Sequence, residues 1–455
     1  MRAYEGGVSR PFLFHMSKIF LLLCLLLFTG AAHSDLLPAQ SDAPVGSNPV
    51  LPFARVNSLM EQRQWQAAQA ALQDAAKDPA ADPIEVLFLG GLIALESQNY
   101  AVAIAQFQKI LVDHPIIPRV RLELARAYFL SGDDEGAQYH FERALAGNLP
   151  EPVIANVRLF LEQIRARRRW QLGFGFGIMP DSNVNQGASA QTVTIGGLPF
   201  TLSSDARETS GVGLLWQLSG ERLWNMAERW RFTASGNLLR KDYGKHQFND
   251  MTLYARIGPR YLFGDGDVGF GLSLGKRLLG DRSYSDAQGL YTDVNHQIGE
   301  RWLAYASVES QRYRFAEGKG EPGMLTFASG KLRYLLSPVS LVEGGMDISQ
   351  DDTISDEMHH QTVGVSAGYR SEAAFGLLYG VSVRTAQSRY PTLQSFFNQH
   401  RNDDMTSLSM DVTKRDWQIS GFSPVVSLTL IHNNSTIPLY SYRRTLGQIG
   451  FNRQF

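Results

Sequence analysis

The sequence predicts an α+β multidomain protein, with an N-terminal all-α repeat solenoid followed by a transmembrane antiparallel β-barrel of about 14 strands. Three observations carry this reading. From Trp170 to Phe455, apolar and polar residues alternate, and a period of two puts the two sets on opposite faces of a sheet. The alternating runs approach or exceed about ten residues, enough to cross a bilayer at a tilt, whereas strands of soluble sandwiches average about five or six. Upstream of Trp170 the period changes to 3.6, and a helical pattern recurs in steps of 35 and 34 residues.

Whole-chain numbers narrow the function classes. Lys and Arg total 43 against 44 Asp and Glu, a net charge of −1, so nothing favours nucleic acid or an acidic partner on bulk electrostatics. A mean hydropathy of −0.18 is too polar for a helical membrane protein but suits a barrel, in which only alternate residues face lipid. Cys24 is the single cysteine. It lies in the N-terminal apolar run, so the processed chain is expected to have neither disulfides nor thiolate chemistry.

Residues 1–34 read as a secretory signal peptide. Met16-Ser17-Lys18 supplies a positive start, Ile19 to Phe28 is apolar, and Thr29 to Ser34 is small and polar. Met16 is a candidate true start. Leu21-Leu22-Leu23 before Cys24 lacks the small residue a lipoprotein signal needs, so lipidation is not expected. Residues 35–52, rich in Pro, Ala, Ser and Asp, read as a flexible leader.

Residues 53–169 carry the repeat. Ala68, Leu72 and Ala75 recur as Ala103, Phe107 and Ile110, then as Ala137, Phe141 and Ala144, while Leu87, Gly91 and Ala94 match Arg121, Ala125 and Tyr128. A period near 34 with these small and bulky offsets is the tetratricopeptide helix-turn-helix, in which small residues let paired helices approach. Such a solenoid has a concave groove lined by the first helix of each pair. The spacing places Phe88, Leu92, Glu96, Arg119, Leu122, Arg126 and Phe129 there as candidate client-binding residues. A last helix, about residues 152–166, leads through Arg165, Arg167, Arg168 and Arg169 to Trp170.

Residues 170–455 are the expected barrel. Alternation is plain in Val363, Val365, Ala367 and Tyr369 against Thr362, Gly364, Ser366 and Gly368, and in Val268, Phe270, Leu272 and Leu274 against glycine and serine. Turn signals place strand centres near 175, 214, 236, 257, 272, 293, 307, 329, 344, 365, 381, 409, 427 and 448. Connections after even strands are short, and those after odd strands tend to be longer and more polar, such as residues 180–205, 280–288 and 389–403. Short turns belong on the periplasmic side of an outer-membrane barrel, so both barrel termini and the helical domain are expected there. The chain ends IGFNRQF, with Ile449, Phe451 and Phe455 on one face of the last strand. These resemble the C-terminal signal read by the barrel assembly machinery, an expected partner along with outer-membrane lipid. Arg453 departs from that apolar face and is tolerable where it can snorkel to the interface.

Signal peptide, helical-repeat domain, Arg-rich joint and a barrel opening GFGIMPDSNVNQ together resemble the surface lipoprotein assembly modulator family, most sharply at Pro180, Asp181, Ser182, Asn183, Val184 and Asn185. The resemblance covers essentially the whole processed chain. It implies a translocator that delivers lipoproteins, or related secreted haem- and metal-acquisition proteins, from periplasm to cell surface, with such a protein as client. The helical groove would hold the client, and a polar lumen or a lateral opening next to the last strand would pass it.

Other readings stand beside this one. Asp, Ser and Asn form turns, so the Asp181–Asn185 cluster also reads as a polar turn. Its i, i+2, i+4 oxygens have Ca²⁺-ligand spacing but lack the glycine and closing glutamate of an EF-hand, and neither metal nor cofactor is expected. A porin or selective channel is the alternative function, with the 180–205 loop as its constriction. No nucleophile motif accompanies His296, His359, His360 or His432, so no enzyme is expected. The protein is expected to be a monomer.

Overall fold

The computed structural model describes residues 53–454, apart from 168, 416, 418, 420 and 421. The expected signal peptide and leader, Arg168 and Phe455 lie outside the described residues.

Seven helices come first: α1 (Ala54–Glu61), α2 (Trp65–Ala75), α3 (Pro83–Glu96), α4 (Tyr100–Asp113), α5 (Pro118–Ser131), α6 (Asp134–Leu145) and α7 (Glu151–Arg167). Local chemistry sets their ends. The Asp82 carboxylate accepts from the Ile84 N–H at 3.0 Å, and Pro83 occupies the first helical position, where no intrahelical donor is needed. Asp133 caps α6 by accepting from Gly136 N–H at 2.8 Å. Gly132, with φ 88°, ends α5 in the left-handed region.

The repeat positions form the seams between helices. Ala68, Ala103 and Ala137 are fully buried, and Leu72, Phe107 and Phe141 lie beside them. At Gly91 an added Cβ would sit 2.5 Å from the Phe107 ring, so only a hydrogen fits between α3 and α4. The resulting core runs in three successive clusters, centred on Val56 and Leu72, on Phe107 and Leu124, and on Phe141 and Ile164.

The barrel strands are β1 (Trp170–Asp181), β4 (Gly211–Asn225), β5 (Trp230–Tyr243), β6 (Asp250–Phe263), β7 (Gly266–Leu279), β8 (Arg282–Ile298), β9 (Trp302–Phe315), β10 (Gly323–Ser337), β11 (Ser340–Thr353), β12 (His360–Ala373), β13 (Leu377–Gln394), β14 (Gln399–Lys414), β15 (Ser423–Ser435) and β16 (Tyr442–Gln454). These fourteen form a closed antiparallel barrel, with β1 pairing both β4 and β16. β2 (Thr192–Ile195) and β3 (Leu198–Thr201) form a separate hairpin inside the first long connection.

Each of the fourteen expected centres falls inside a strand, but two expected loops are shorter. β8 starts at Arg282, leaving Gly280 and Asp281, both at φ 60°, as a two-residue turn of the kind hairpins favour. β13 and β14 pair as far as Leu393↔His400 and Gln394↔Gln399, leaving four residues, 395–398, between them. Polar strand ends that rise out of the bilayer look like loop in sequence, and the ladder that satisfies their backbone groups becomes visible only in three dimensions.

The outward face is apolar. Leu214, Trp216, Leu218, Leu272, Leu274, Val308, Leu332, Met410, Val426 and Leu428 are large, exposed and on the same side of their strands. Aromatic pairs ring the end with the short turns: Trp230 with Tyr261 at 5.0 Å, Trp302 with Tyr334 at 4.6 Å and Tyr369 with Tyr379 at 6.2 Å. This is the girdle expected where a barrel meets the headgroups. Among the described residues no helix is long and apolar enough to cross a membrane.

Candidate functional site

The helical domain meets the barrel at the short-turn end. Arg158 pairs with Glu300 between β8 and β9 at 2.8 Å, and Gly147 lies near Pro338 between β10 and β11. The strongest contact is at the end of β12. Arg121 on α5 donates to Glu372 at 2.8 Å and also to the Pro115 carbonyl at 2.6 Å. Arg415, after β14, reaches the same carboxylate at 3.1 Å, and Tyr139 on α6 donates its hydroxyl to it. The Arg121 and Glu372 side chains are 0% and 1% exposed. Two guanidiniums around one buried carboxylate, with further hydrogen bonds, meet the conditions under which a buried ion pair holds.

His140 completes this node, with its Nδ1 3.4 Å from Arg121 and its ring stacked on Tyr128 at 5.6 Å. Burial, with the Arg121 guanidinium beside it, holds the imidazole well below the usual histidine range. The Tyr128 hydroxyl accepts from Gln108 at 2.6 Å, and burial pushes its pKa up to about 12.

The candidate groove residues divide. Phe88 is buried against Phe107 at 5.9 Å, with the Arg119 guanidinium 4.8 Å above its ring. Leu92 and Leu122 pack along the core clusters. Phe129 is covered by α7, since Phe160 lies 5.0 Å away and the Arg167 guanidinium 3.8 Å over the ring. Glu96 and Arg126 pair at 2.7 Å and stay more than one-third exposed, and Arg119 is exposed. The solvent-facing part of the groove is therefore polar.

At the far end of the barrel, Pro180 to Asn185 turn inward on the protein. Asp181 accepts from Arg444 on β16 at 2.5 and 3.0 Å, from the Tyr243 hydroxyl at 3.0 Å and from the Asn183 N–H at 2.9 Å. Ser182 and Thr445 exchange two bonds, at 2.8 and 3.0 Å. Asn183 donates to the Gly187 and Arg443 carbonyls and accepts from Gly187 N–H. Asn185 bridges the Asp205 and Arg207 carbonyls and Thr209 N–H. Asp181 and Asn183 are buried, so this cluster ties the first long loop to β16 across the point of barrel closure.

Ile449 and Phe451 lie on the outward face of β16, and Phe451 stacks on Phe176 at 5.6 Å. The four histidines are dispersed: His296 on β8, His359 beside Asp352 at 2.9 Å, His360 stacked on Tyr390, and His432 on β15.

The lumen wall is uneven. On β6 to β14, inward residues pair across strands: Arg260 with Asp293, Arg256 with Glu309, Arg277 with Asp250, Arg384 with Asp347 and Arg370 with Asp411. From β15 through β1 to β4, between the Asp181–Arg444 pair and Glu221, the inward positions are uncharged, with Ser427, Gln448, Gly450, Asn452, Gly173, Gly175, Gly177 and Ser219 among them.

Sequence reasoning missed Glu372, Arg415, Tyr139, His140, Arg444 and Tyr243. One available signal was Arg121, a charged residue at the repeat position where the preceding copy has Leu87.

The fold and these sites define an outer-membrane β-barrel with a helical-repeat domain seated on its short-turn mouth. The chain belongs to the surface lipoprotein assembly modifier family: residues 170–455 match that family, and residues 41–141 match its N-terminal TPR repeats. It is 23% identical to surface lipoprotein assembly modifier 1 of Neisseria meningitidis serogroup B, over 82% of this chain and 76% of that one. It is also 23% identical to the surface lipoprotein assembly modifier of Moraxella catarrhalis, over 90% and 81%. Among solved structures, the outer membrane channel DcaP of Acinetobacter baumannii matches loosely, with 10% identity and a TM-score of 0.39 over 63% of this chain and 96% of that one.

Proposed function

We propose that this protein carries surface lipoproteins, or related secreted haem- and metal-acquisition proteins, across the outer membrane. The helical domain, residues 53–169, engages the client at the periplasmic mouth of the barrel, residues 170–455. The observation that carries this reading is the Arg121–Glu372–Arg415 node. A buried ion cluster holding a helical-repeat domain on a barrel mouth has a use in protein handling and none in passive diffusion. Glu96, Arg119 and Arg126 provide an open polar face for the first contact. The barrel assembly machinery inserts the chain by reading Ile449, Phe451 and Phe455, and the protein acts as a monomer without cofactor.

The test is surface exposure of a co-expressed tagged lipoprotein in intact Gram-negative cells, with and without residues 53–165. Surface signal that requires the full-length chain is the expected result. A client that stays inside while small solutes enter faster would support the alternative, a diffusion channel, for which the uncharged polar wall around Gln217 and Ser219 speaks.

A further inference from the structure

The β1–β16 seam has the shortest ladder of the barrel's strand junctions, while its proline break and facing glycines recur between β6 and β7, at Pro259, Gly258 and Gly271. Among the described residues it pairs at seven positions, against eleven to fifteen in each other ladder. The ladder skips Met179 and Pro180, and proline has no N–H to give. Glycines face each other across it. A Cβ on Gly450 would lie 2.2 Å from the Phe176 carbonyl oxygen, and one on Gly177 2.7 Å from that of Ile449. The two backbones therefore touch without side chains that interlock on the lumen side.

Each end of this seam is fastened differently. The extracellular end has the Asp181–Arg444 pair and the Ser182–Thr445 bonds. At the periplasmic end Phe422, the residue before β15, lies on the outside of the barrel. Phe422 packs on Phe174 at 5.9 Å and Phe176 at 6.0 Å, both on β1, with the Arg453 guanidinium of β16 5.8 Å from its ring. A residue next to β15 thus reaches past β16 to β1 and straps the seam from the lipid side.

We propose that the β1–β16 seam is a lateral portal for acyl chains, and that Phe422 is its strap. This rests on the reading of the protein as a lipoprotein translocator. A lipoprotein joins a polar chain to hydrocarbon tails, and one path cannot suit both. The lumen wall of β6 to β14 is lined with ion pairs, where acyl chains would stay in contact with water and charge. At the seam the outward face is hydrocarbon-like, with Leu172, Ile178 and Ile449 more than 40% exposed. The inward face is glycine and uncharged polar groups. A parted seam would let the tails stay in the bilayer while the polypeptide follows the lumen. Edges exposed by parting are short, and the extracellular Asp181–Arg444 and Ser182–Thr445 contacts part last, to release the tails at the surface, and re-form in register on closure.

The test uses the full chain with a facing cysteine pair, Ile178→Cys with Ile449→Cys. A control pair, Val308→Cys with Ala328→Cys, sits at directly opposed positions of β9 and β10. Opposed positions place Cβ atoms about 4.5–5.5 Å apart, within adjustment of a disulfide. Two measurements are made. Hydrogen exchange of the unmodified chain in nanodiscs is expected to open β16 amides roughly tenfold or more faster than those of β9 and β10, and Phe422→Ala to widen the gap. Oxidised seam cysteines are expected to abolish surface display of a tagged triacylated lipoprotein, with reductant restoring it and the control pair without effect. Equal protection of the two ladders, or undiminished display by the oxidised seam variant, overturns the portal. If the unmodified chain displays no lipoprotein at all, the translocator reading falls and takes the portal's cargo with it.

Discussion

Glu372 is the residue on which the attachment of the helical domain turns. It is buried with Arg121 and within reach of Arg415. Glu372→Gln would leave two guanidiniums without a counter-charge and cost roughly 3–5 kcal/mol of docking. Limited proteolysis at the junction near Arg169 should report this as faster cleavage. Arg121→Met and Arg415→Met combined with Glu372→Leu should recover much of the loss, because apolar residues of similar size in place of all three charges fill such sites without desolvation cost. His140 adds a pH dependence. Its neighbours are Arg121 on α5, Glu372 on β12, Arg415 beyond β14 and Arg143 on its own helix. A histidine with a depressed folded pKa loses its contribution as pH falls below the unfolded value of about 6.5. Docking should therefore loosen between pH 7.5 and 5.5, and His140→Gln should flatten that part of the profile. Glu142 is half-buried, and its partial desolvation raises its pKa. Its contribution falls as pH rises, so the difference between wild type and His140→Gln is the quantity to measure.

At the scale of elements, helix spacing and barrel closure each depend on small residues or inward polar bonds. Gly91→Val would drive a side chain into the Phe107 ring 2.5 Å away. It should lower helical-domain stability by about 1–3 kcal/mol through overpacking, read as an earlier loss of helical circular dichroism on heating. Asp181→Asn would remove the charge facing buried Arg444 and loosen the first loop from β16. The expected outcome is a folded barrel that converts to its unfolded gel band at a lower temperature, while Asp411→Asn, on a more exposed pair, should convert almost as wild type does.

At the scale of the molecule, the helical domain and barrel act as one device because α5, α6 and α7 sit against the turns of the mouth. The node can be broken without deleting anything. If engagement at the mouth matters, Arg121→Met alone should reduce client display as deletion of residues 53–165 does, with barrel abundance unchanged. Equal display by Arg121→Met and wild type would leave the helical domain with a role that does not depend on docking.

The two periods, 3.6 before residue 167 and two after residue 170, and the 34-residue recurrence of Ala68, Ala103 and Ala137, were legible because burial constrains every second or every third and fourth side chain locally. The strand count was legible for the same reason, since glycines and polar turns interrupt the alternation. The sequence by itself thus determined the fold class, the order of elements and the family resemblance at Pro180 to Asn185. Only the tertiary structure decided that Asp181 meets Arg444, 263 residues away, that Arg121 meets Glu372, 251 residues away, and that Phe129 lies under α7. A charge in the chain shows its sign but not its partner. That partner is set by the register of a closed barrel and the seat of a solenoid on it, which are properties of the whole chain.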